Sequence, residues 1–380
     1  MPFATGGLPL RVMRCLGPHG ARFTLISTDA KNVARSSRYC SRFLVTPPPS
    51  EADALTQLMQ LDVGSAEPVL LPVTTQGFEF VAQHRAVLAT RFRLPPLAAE
   101  GDLKLASDKW RLHDLCRQHT LPVLPAVFLS AAVAADLARG IVPFRFPALV
   151  KPSLKENGRG IRKVDSAEAL GELYRQNPGI DREETLLQTF VDGDDVSLSA
   201  FCEAGEIKAH TLWRTLVKSS VPYTIPTCIQ FIEYPDVLEI GRRLLRLLRW
   251  EGVCDIDFLV DRRSSEIWIL EVNARFWGNV ISCAKAGVNY PLLMAAVARG
   301  ERPPVWPVQI DRAVFCFARG LRDGLRLAPV RRALLAHPLR STAIGTAAGD
   351  VGPELRRVQA RLGRLWLRCI RRKPTPEPES

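Results

Sequence analysis

The residues best suited by type and spacing to do chemistry lie between Val253 and Arg275. The run Cys254-Asp-Ile-Asp-Phe-Leu-Val260 alternates, setting Ile256, Phe258 and Val260 on one face of a strand and Asp255 and Asp257 on the other. Glu266-Ile-Trp-Ile-Leu-Glu-Val-Asn273 alternates too, with Trp268, Leu270 and Val272 opposite Glu271 and Asn273. The polar stretch Asp261–Ser265 between them reads as a turn. A hairpin symmetric about Ser264 makes Asp257 and Glu271 direct cross-strand partners and sets Asp255 opposite Asn273. Two carboxylates so placed repel by about 0.2–1 kcal/mol when solvated and by more when buried. A divalent cation removes that repulsion, and two acids with an amide oxygen form the hard donor set that Mg²⁺ takes when phosphates complete its shell. Arg275 points to the same side and can meet a phosphate or carboxylate through two N–H groups. Taken alone, the pattern also fits a solvated acidic face, or a slipped register that separates the acids.

The elements that must position these groups follow from periodicity. In the first hundred residues a Gly6-Gly7 turn precedes the helical spacing of Leu10, Val12, Met13 and Leu16; segments 21–27 and 69–73 read as strands, with a helical pattern through Phe78, Phe80, Val81 and Val87. Strands alternating with helices predict a small α/β unit over 1–101. A helix is expected from Asp108 to His119, ended by Leu121-Pro122, and a buried strand from Phe146 that ends in Lys151-Pro152. A glycine-containing loop, 153–160, follows. Segment 186–191 reads as a strand, 192–195 as a turn and 196–201 as a strand again.

Composition narrows the classes. The chain has 380 residues, of which 47% are hydrophobic, enough for two or three packed domains. No apolar run approaches the ~18 residues of a membrane span, and the first residues lack a charged segment followed by an apolar one, so no secretory signal is expected. Nine cysteines without a C-x-x-C pair suit free thiols in a reducing cytoplasm. Residues 299–380 hold 17 Arg plus Lys against 7 Asp plus Glu, a difference of +10 out of the whole-chain +12. The body is nearly neutral, which removes the main support for nucleic acid as a partner.

In order along the chain, Asp108-Lys109, Lys151-Pro-Ser153, the glycine-containing flap, Gln188-Thr-Phe-Val191, Gly193-Asp-Asp-Val-Ser197 and Asp257 … Glu271-Val-Asn-Ala-Arg275 resemble the ATP-grasp superfamily. The likeness is to its carbamoyl-phosphate-synthetase-like and D-alanine-ligase-like branch. It implies a Rossmann-like pre-ATP-grasp unit over 1–101 and an α+β ATP-grasp core over 102–300, with lobes of about 102–190 and 191–300. A basic helical region, 301–380, completes the expected fold. The resemblance further implies an ATP- and Mg²⁺-dependent ligase, with Mn²⁺ as a substitute ion, that makes an acyl phosphate from a small carboxylate and passes it to an amine. Lys109 and Lys151 then correspond to the phosphate-gripping cations, and Gly158 and Gly160 to flap glycines that approach the triphosphate. Gln188, Phe190 and Val191 correspond to the adenine hinge, and Asp195 to the ribose contact. Asp257, Glu271 and Asn273 correspond to metal ligands, and Arg275, with Lys151, to the catalytic cations. Arg214 is a candidate for the substrate pocket. The alternative is a protein that holds nucleotide without turnover.

Between Val358 and Ile370, apolar Val358, Leu362, Leu365, Trp366 and Cys369 recur at helical spacing among arginines. Such a helix suits an anionic membrane surface, which would make a cytoplasmic protein peripheral at the inner membrane. It equally suits packing on the body with its arginines in water. The Pro-Thr-Pro-Glu-Pro-Glu-Ser end reads as disordered.

Overall fold

The computed structural model describes residues 1–46, 51–63, 67–156, 158–177, 180, 184–302, 314–317, 320–336, 342 and 344–371, with the side chains of 51, 344, 361 and 363–371 left out. Asn157 of the flap, Leu365, Trp366 and Cys369 as side chains, and the proline-rich end lie outside that description.

The N-terminal unit packs helices against one parallel pair of strands. Pro9 sits in the first turn of α1 (Leu8–Leu16), where its missing N–H costs nothing, and Leu10, Val12, Met13 and Leu16 face inward. β1 (Phe23–Ser27) runs parallel to β2 (Cys40–Val45). α2 (Glu51–Met59), α3 (Thr75–Gln83) and α4 (Arg85–Leu88) follow. The strand expected over 69–73 forms only a single bridge, Val69 to Arg93. Pro68 and Pro72 flank it and supply no N–H to extend a ladder. The described sheet of this unit therefore stops well short of a doubly wound one.

α5 (Glu100–Ser107) and α6 (Lys109–Gln118) meet at Asp108, whose carboxylate caps α6 by accepting from the N–H of Trp110 (2.9 Å) and Arg111 (3.1 Å). A small lobe follows: β3 (Ala126–Leu129), α7 (Ala131–Ala138), β4 (Ala148–Pro152), β5 (Arg162–Val164), α8 (Ala167–Gln176) and β6 (Thr185–Thr189). Its antiparallel sheet has the order β3-β6-β4-β5. It has its own core, in which Leu129, Leu137, Val150, Leu170 and Leu187 meet. Because side chains alternate along a strand, burying Val150 and Leu187 on that core turns their neighbours Lys151 and Gln188 to the other face.

The large lobe comprises β7 (Gly193–Glu203), β8 (Glu206–Val217), β9 (Cys228–Phe231), α9 (Pro235–Leu247), β10 (Gly252–Asp261), β11 (Ile267–Asn273), α10 (Val280–Ala286), α11 (Tyr290–Ala298) and β12 (Val314–Cys316). The order of its six-stranded sheet is β11-β10-β7-β8-β9-β12. Residues 193–195, expected in a turn, already belong to β7: Gly193, Asp194 and Asp195 pair with Asp261, Val260 and Leu259 of β10. Arg262 bridges Asp192 (2.8 Å) and Asp194 (2.7 Å), which lets this acidic stretch enter a sheet.

In the β10–β11 hairpin, Asp255 faces Asn273 and Asp257 faces Glu271, as alternation and symmetry predict. Beyond Asp257 the register slips by one residue, so that Phe258 faces Ile269. This bulge at Leu270 breaks the single face expected for Trp268, Leu270 and Val272. Ile269 and Val272 are the buried residues of β11, and Leu270 turns toward the cavity between the lobes.

Four helices end the described chain: α12 (Leu321–Gly324), α13 (Ala328–Ala336), α14 (Ile344–Ala348) and α15 (Gly352–Arg371). Cys316 of β12 lies directly opposite Cys228 of β9 and is disulfide-bonded to it, correcting the free-thiol expectation for these two. Among the described residues Cys15, Cys40, Cys116, Cys202, Cys254 and Cys283 are free. Buried Asp350 accepts from Arg14 (3.1 Å), the Ser37 hydroxyl (2.8 Å) and the Arg38 N–H (2.9 Å), and so ties the start of α15 to the N-terminal unit. No single described helix is long and apolar enough to cross a membrane.

Candidate active site

The two lobes enclose a cavity of about 430 Å³. The small sheet contributes Lys151 and Gln188, and the large one Asp255, Asp257, Glu271 and Asn273. Lys109, Gly158, Phe190, Val191, Asp195 and Arg275 also line it. Of the residues singled out by sequence, Gly160 and Arg214 do not. The Gly160 position has a structural reason. Its left-handed backbone (φ +78°) packs against the Pro152 ring, where an added Cβ would sit 2.9 Å from Cγ.

The acidic wall is held from behind by serines of β7. The Ser197 hydroxyl donates to Asp257 (2.5 Å) and that of Ser199 to Asp255 (2.6 Å), while the Asn273 amide donates to the other oxygen of Asp257 (3.2 Å). Burial pushes the Asp255 carboxyl up to about 7; the Ser199 hydroxyl and Arg275 oppose this, and Glu271 adds to it. Burial, then the negative charge of Asp255 and Glu271, raises Asp257 as well. A carboxyl raised in the folded state stabilises the fold below its unfolded value near 4 and loses that contribution as pH climbs through the folded value. Without nucleotide or divalent cation, Tm should therefore fall as pH rises from about 4 to about 7. The loss should be on the order of a few kcal/mol, and shallower in Asp255→Asn. A pH-independent Tm in both proteins would contradict this electrostatic picture.

Cations face the acids. Lys151, almost fully buried, donates to the Gln188 side-chain oxygen at 2.6 Å. Burial lowers its ammonium to about 8, although Glu271 pulls it up; Lys109 pushes it further down. Lys109 lies 3.2 Å from Glu271 and donates to the Lys155 carbonyl (2.8 Å). Burial works to raise Glu271, but Lys109, Lys151 and Arg275 outweigh it and hold the carboxyl below its usual range.

Arg275 is gripped by two groups that sequence reasoning missed. Its guanidinium meets flap residue Glu156 at 3.1 Å and Thr75 of α3 at 3.1 Å, and Thr75 hydrogen-bonds Glu156 in turn. A carboxylate thus already fills the arginine's fork, showing that the geometry there accepts one. Separations of 119 and 200 residues left no local signal for this triad.

The segment 218–226 is the other feature missed. Running between β8 and β9, it roofs the cavity, and Lys218 pairs with Asp195 at 3.1 Å. Gly158 (φ +70°) lies beneath it so closely that a Cβ would be 2.3 Å from the Tyr223 carbonyl oxygen. Gly158→Ala should part flap and roof, raising KM for nucleotide by about tenfold or more with little change in Tm. An unchanged KM would show that this closure is not used. Arg214 points away from the cavity and bonds Gln230 (2.9 Å); its neighbours Trp213 and Thr215 line the cavity instead. Trp213 and Asn279 are buried there, with the indole N–H and the amide oxygen lacking a hydrogen-bond partner.

A core built from a small and a large antiparallel lobe, with lysines on one sheet facing carboxylates on the other, defines a class. Residues 106–279 match the family model described as ATP-grasp domain, and the chain carries an ATP-grasp domain over that span. It is similar to the carbamoyl-phosphate synthase of Methanobrevibacter smithii, at 20% identity over 230 residues, covering 58% of this chain and 60% of that one. It is also similar to the carbamoyl phosphate synthase large chain of Thermomicrobium roseum, at 20% over 342 residues, covering 84% of this chain and 31% of that one. The chain thus spans less than two thirds of either relative. The fold resembles N5-carboxyaminoimidazole synthetase of Staphylococcus aureus complexed with ADP, with a TM-score of 0.64 at 15% identity over 89% of this chain and 87% of that one.

Proposed function

We propose that this chain is an Mg²⁺- and ATP-dependent ligase that converts a small carboxylate to an acyl phosphate and transfers the acyl group to an amine, forming a C–N bond. The observation that carries this reading is the convergence of Lys109, Lys151 and Arg275 with Asp257, Glu271 and Asn273 on one cavity of the ATP-grasp domain.

The donor set fits Mg²⁺. Asp257 and Glu271 are opposed with Asn273 beside them, and the raised Asp257 carboxyl marks a charge lacking compensation. Mg²⁺ is commonly held by one or two carboxylates, with phosphate oxygens completing its shell. Mn²⁺ fits the same oxygens. When bound, the ion neutralises charge on the phosphates.

Lys151 and Lys109 hold phosphate oxygens as point charges. Val191 and Phe190 border the adenine end, where Lys163 lies 4.7 Å above the Phe190 ring. Arg275 exchanges Glu156 for the substrate carboxylate and presents it to the γ-phosphorus. A carboxylate oxygen attacks, ADP departs and an acyl phosphate remains. The roof and flap shield it from water. The amine then attacks the acyl carbon, inorganic phosphate leaves, and the nitrogen loses a proton. Asp255 and the unpaired Asn279 oxygen are two buried acceptors suited to N–H groups of that amine.

ADP release from Mg-ATP, measured with pooled carboxylates and amines, tests the reading. Release that requires one member of each pool supports the ligase. Tight Mg-ATP binding without release in any pool favours the nucleotide-holding alternative.

A further inference from the structure

The proposed chemistry makes no use of α15. Its 20 residues span about 30 Å, and among its described side chains those fastened to the body lie at its beginning. There, Gly352 packs under Ser36, Pro353 is buried and Arg356 donates to the Ser36 hydroxyl (3.1 Å). From the second turn the helix presents apolar side chains to solvent: Leu355, Val358 and Leu362 are 60%, 53% and 60% exposed. They recur at spacings of three and four, one helix stripe, and sequence periodicity extends that stripe through positions 365, 366 and 369. The same helix carries six arginines against one glutamate.

We propose that α15 docks the protein on an anionic lipid bilayer surface, lying in the interface with its apolar stripe toward the acyl chains and its arginines among the headgroups. Charge selects this occupant. Pairing the stripe with that of a second copy would bring two sets of arginines together, whereas an anionic surface attracts them. The body is nearly neutral, so attraction concentrates at this end of the molecule, where Arg322, Arg326, Arg331 and Arg332 are exposed as well. The proposal does not depend on the ligase reading.

The test is co-sedimentation of the full chain with phosphatidylcholine vesicles, with and without about one third phosphatidylglycerol. The protein is compared with its triple variant Leu355→Asn, Val358→Asn, Leu362→Asn, whose altered residues are all exposed. The expected result is binding about tenfold or more tighter to the anionic vesicles, and about tenfold weaker in the variant at unchanged Tm. Equal binding to both vesicles, binding unaffected by the variant, or no binding would each overturn it. So would a concentration-dependent dimer that the variant abolishes without any vesicle binding.

Discussion

Glu271→Gln is expected to lower substrate-dependent ADP release by about 10³-fold or more and also to lower the Tm of the nucleotide-free protein at neutral pH. The two changes have one origin. Glu271 stands directly across the hairpin from Asp257 and raises that carboxyl, but Lys109, Lys151 and Arg275 hold its own charge in place. Glutamine relieves Asp257 but leaves those cations without their anion, a net cost on the order of 1 kcal/mol when nothing is bound. It also removes one of two carboxylates able to take a divalent cation and frees Lys109 from its 3.2 Å partner. A residue placed there for stability alone would lose Tm and keep its activity. Measuring ADP release and thermal unfolding on the same preparation separates the cases. Activity within tenfold of the parent, whatever the Tm, would remove Glu271 from the proposed role.

Lys151→Met should cut affinity for a non-hydrolysable Mg-nucleotide by about 10²-fold with little loss of stability. Lys151 is a buried ammonium whose burial lowers it to about 8, so its charge is costly in the empty site and useful only opposite phosphate. Methionine of similar length fills the space, and the Gln188 oxygen turns to the cavity. The lowered ammonium also has a pH consequence. In the free protein the cation persists below pH about 8 and is lost above it, so kcat/KM for Mg-ATP should decline on the alkaline side. The variant should lack that limb. Calorimetric titration and a pH series check both. Unchanged affinity would leave Lys151 as a packing residue.

The sequence was most legible where one local rule decides. Alternation and turn symmetry placed Asp257 opposite Glu271, and a capping aspartate started α6 at Asp108. The same alternation failed at the very next pair, because a bulge is set by packing across sheets rather than by the strand's own pattern. Apolar content at 69–73 promised a strand, yet a ladder also needs N–H groups and a partner, and this segment finds only Arg93. What could not be read was long-range. Glu156 and Thr75 reach Arg275 only after the N-terminal unit and the two lobes have packed, and Lys218 reaches Asp195 and Cys228 reaches Cys316 only once the strands of the large sheet have paired. Asp255 is different. Alternation had put it on the same face as Asp257, and its burial against Ser199 shows that it belongs to the site.

The most direct test of the central claim follows an oxygen atom. Once ADP release has identified a substrate, its carboxylate is labelled with heavy oxygen and the released inorganic phosphate is analysed by mass spectrometry. Passage through an acyl phosphate transfers one labelled oxygen to phosphate for each bond formed, together with ADP. Unlabelled phosphate, or AMP in place of ADP, would contradict acyl-phosphate chemistry at this site.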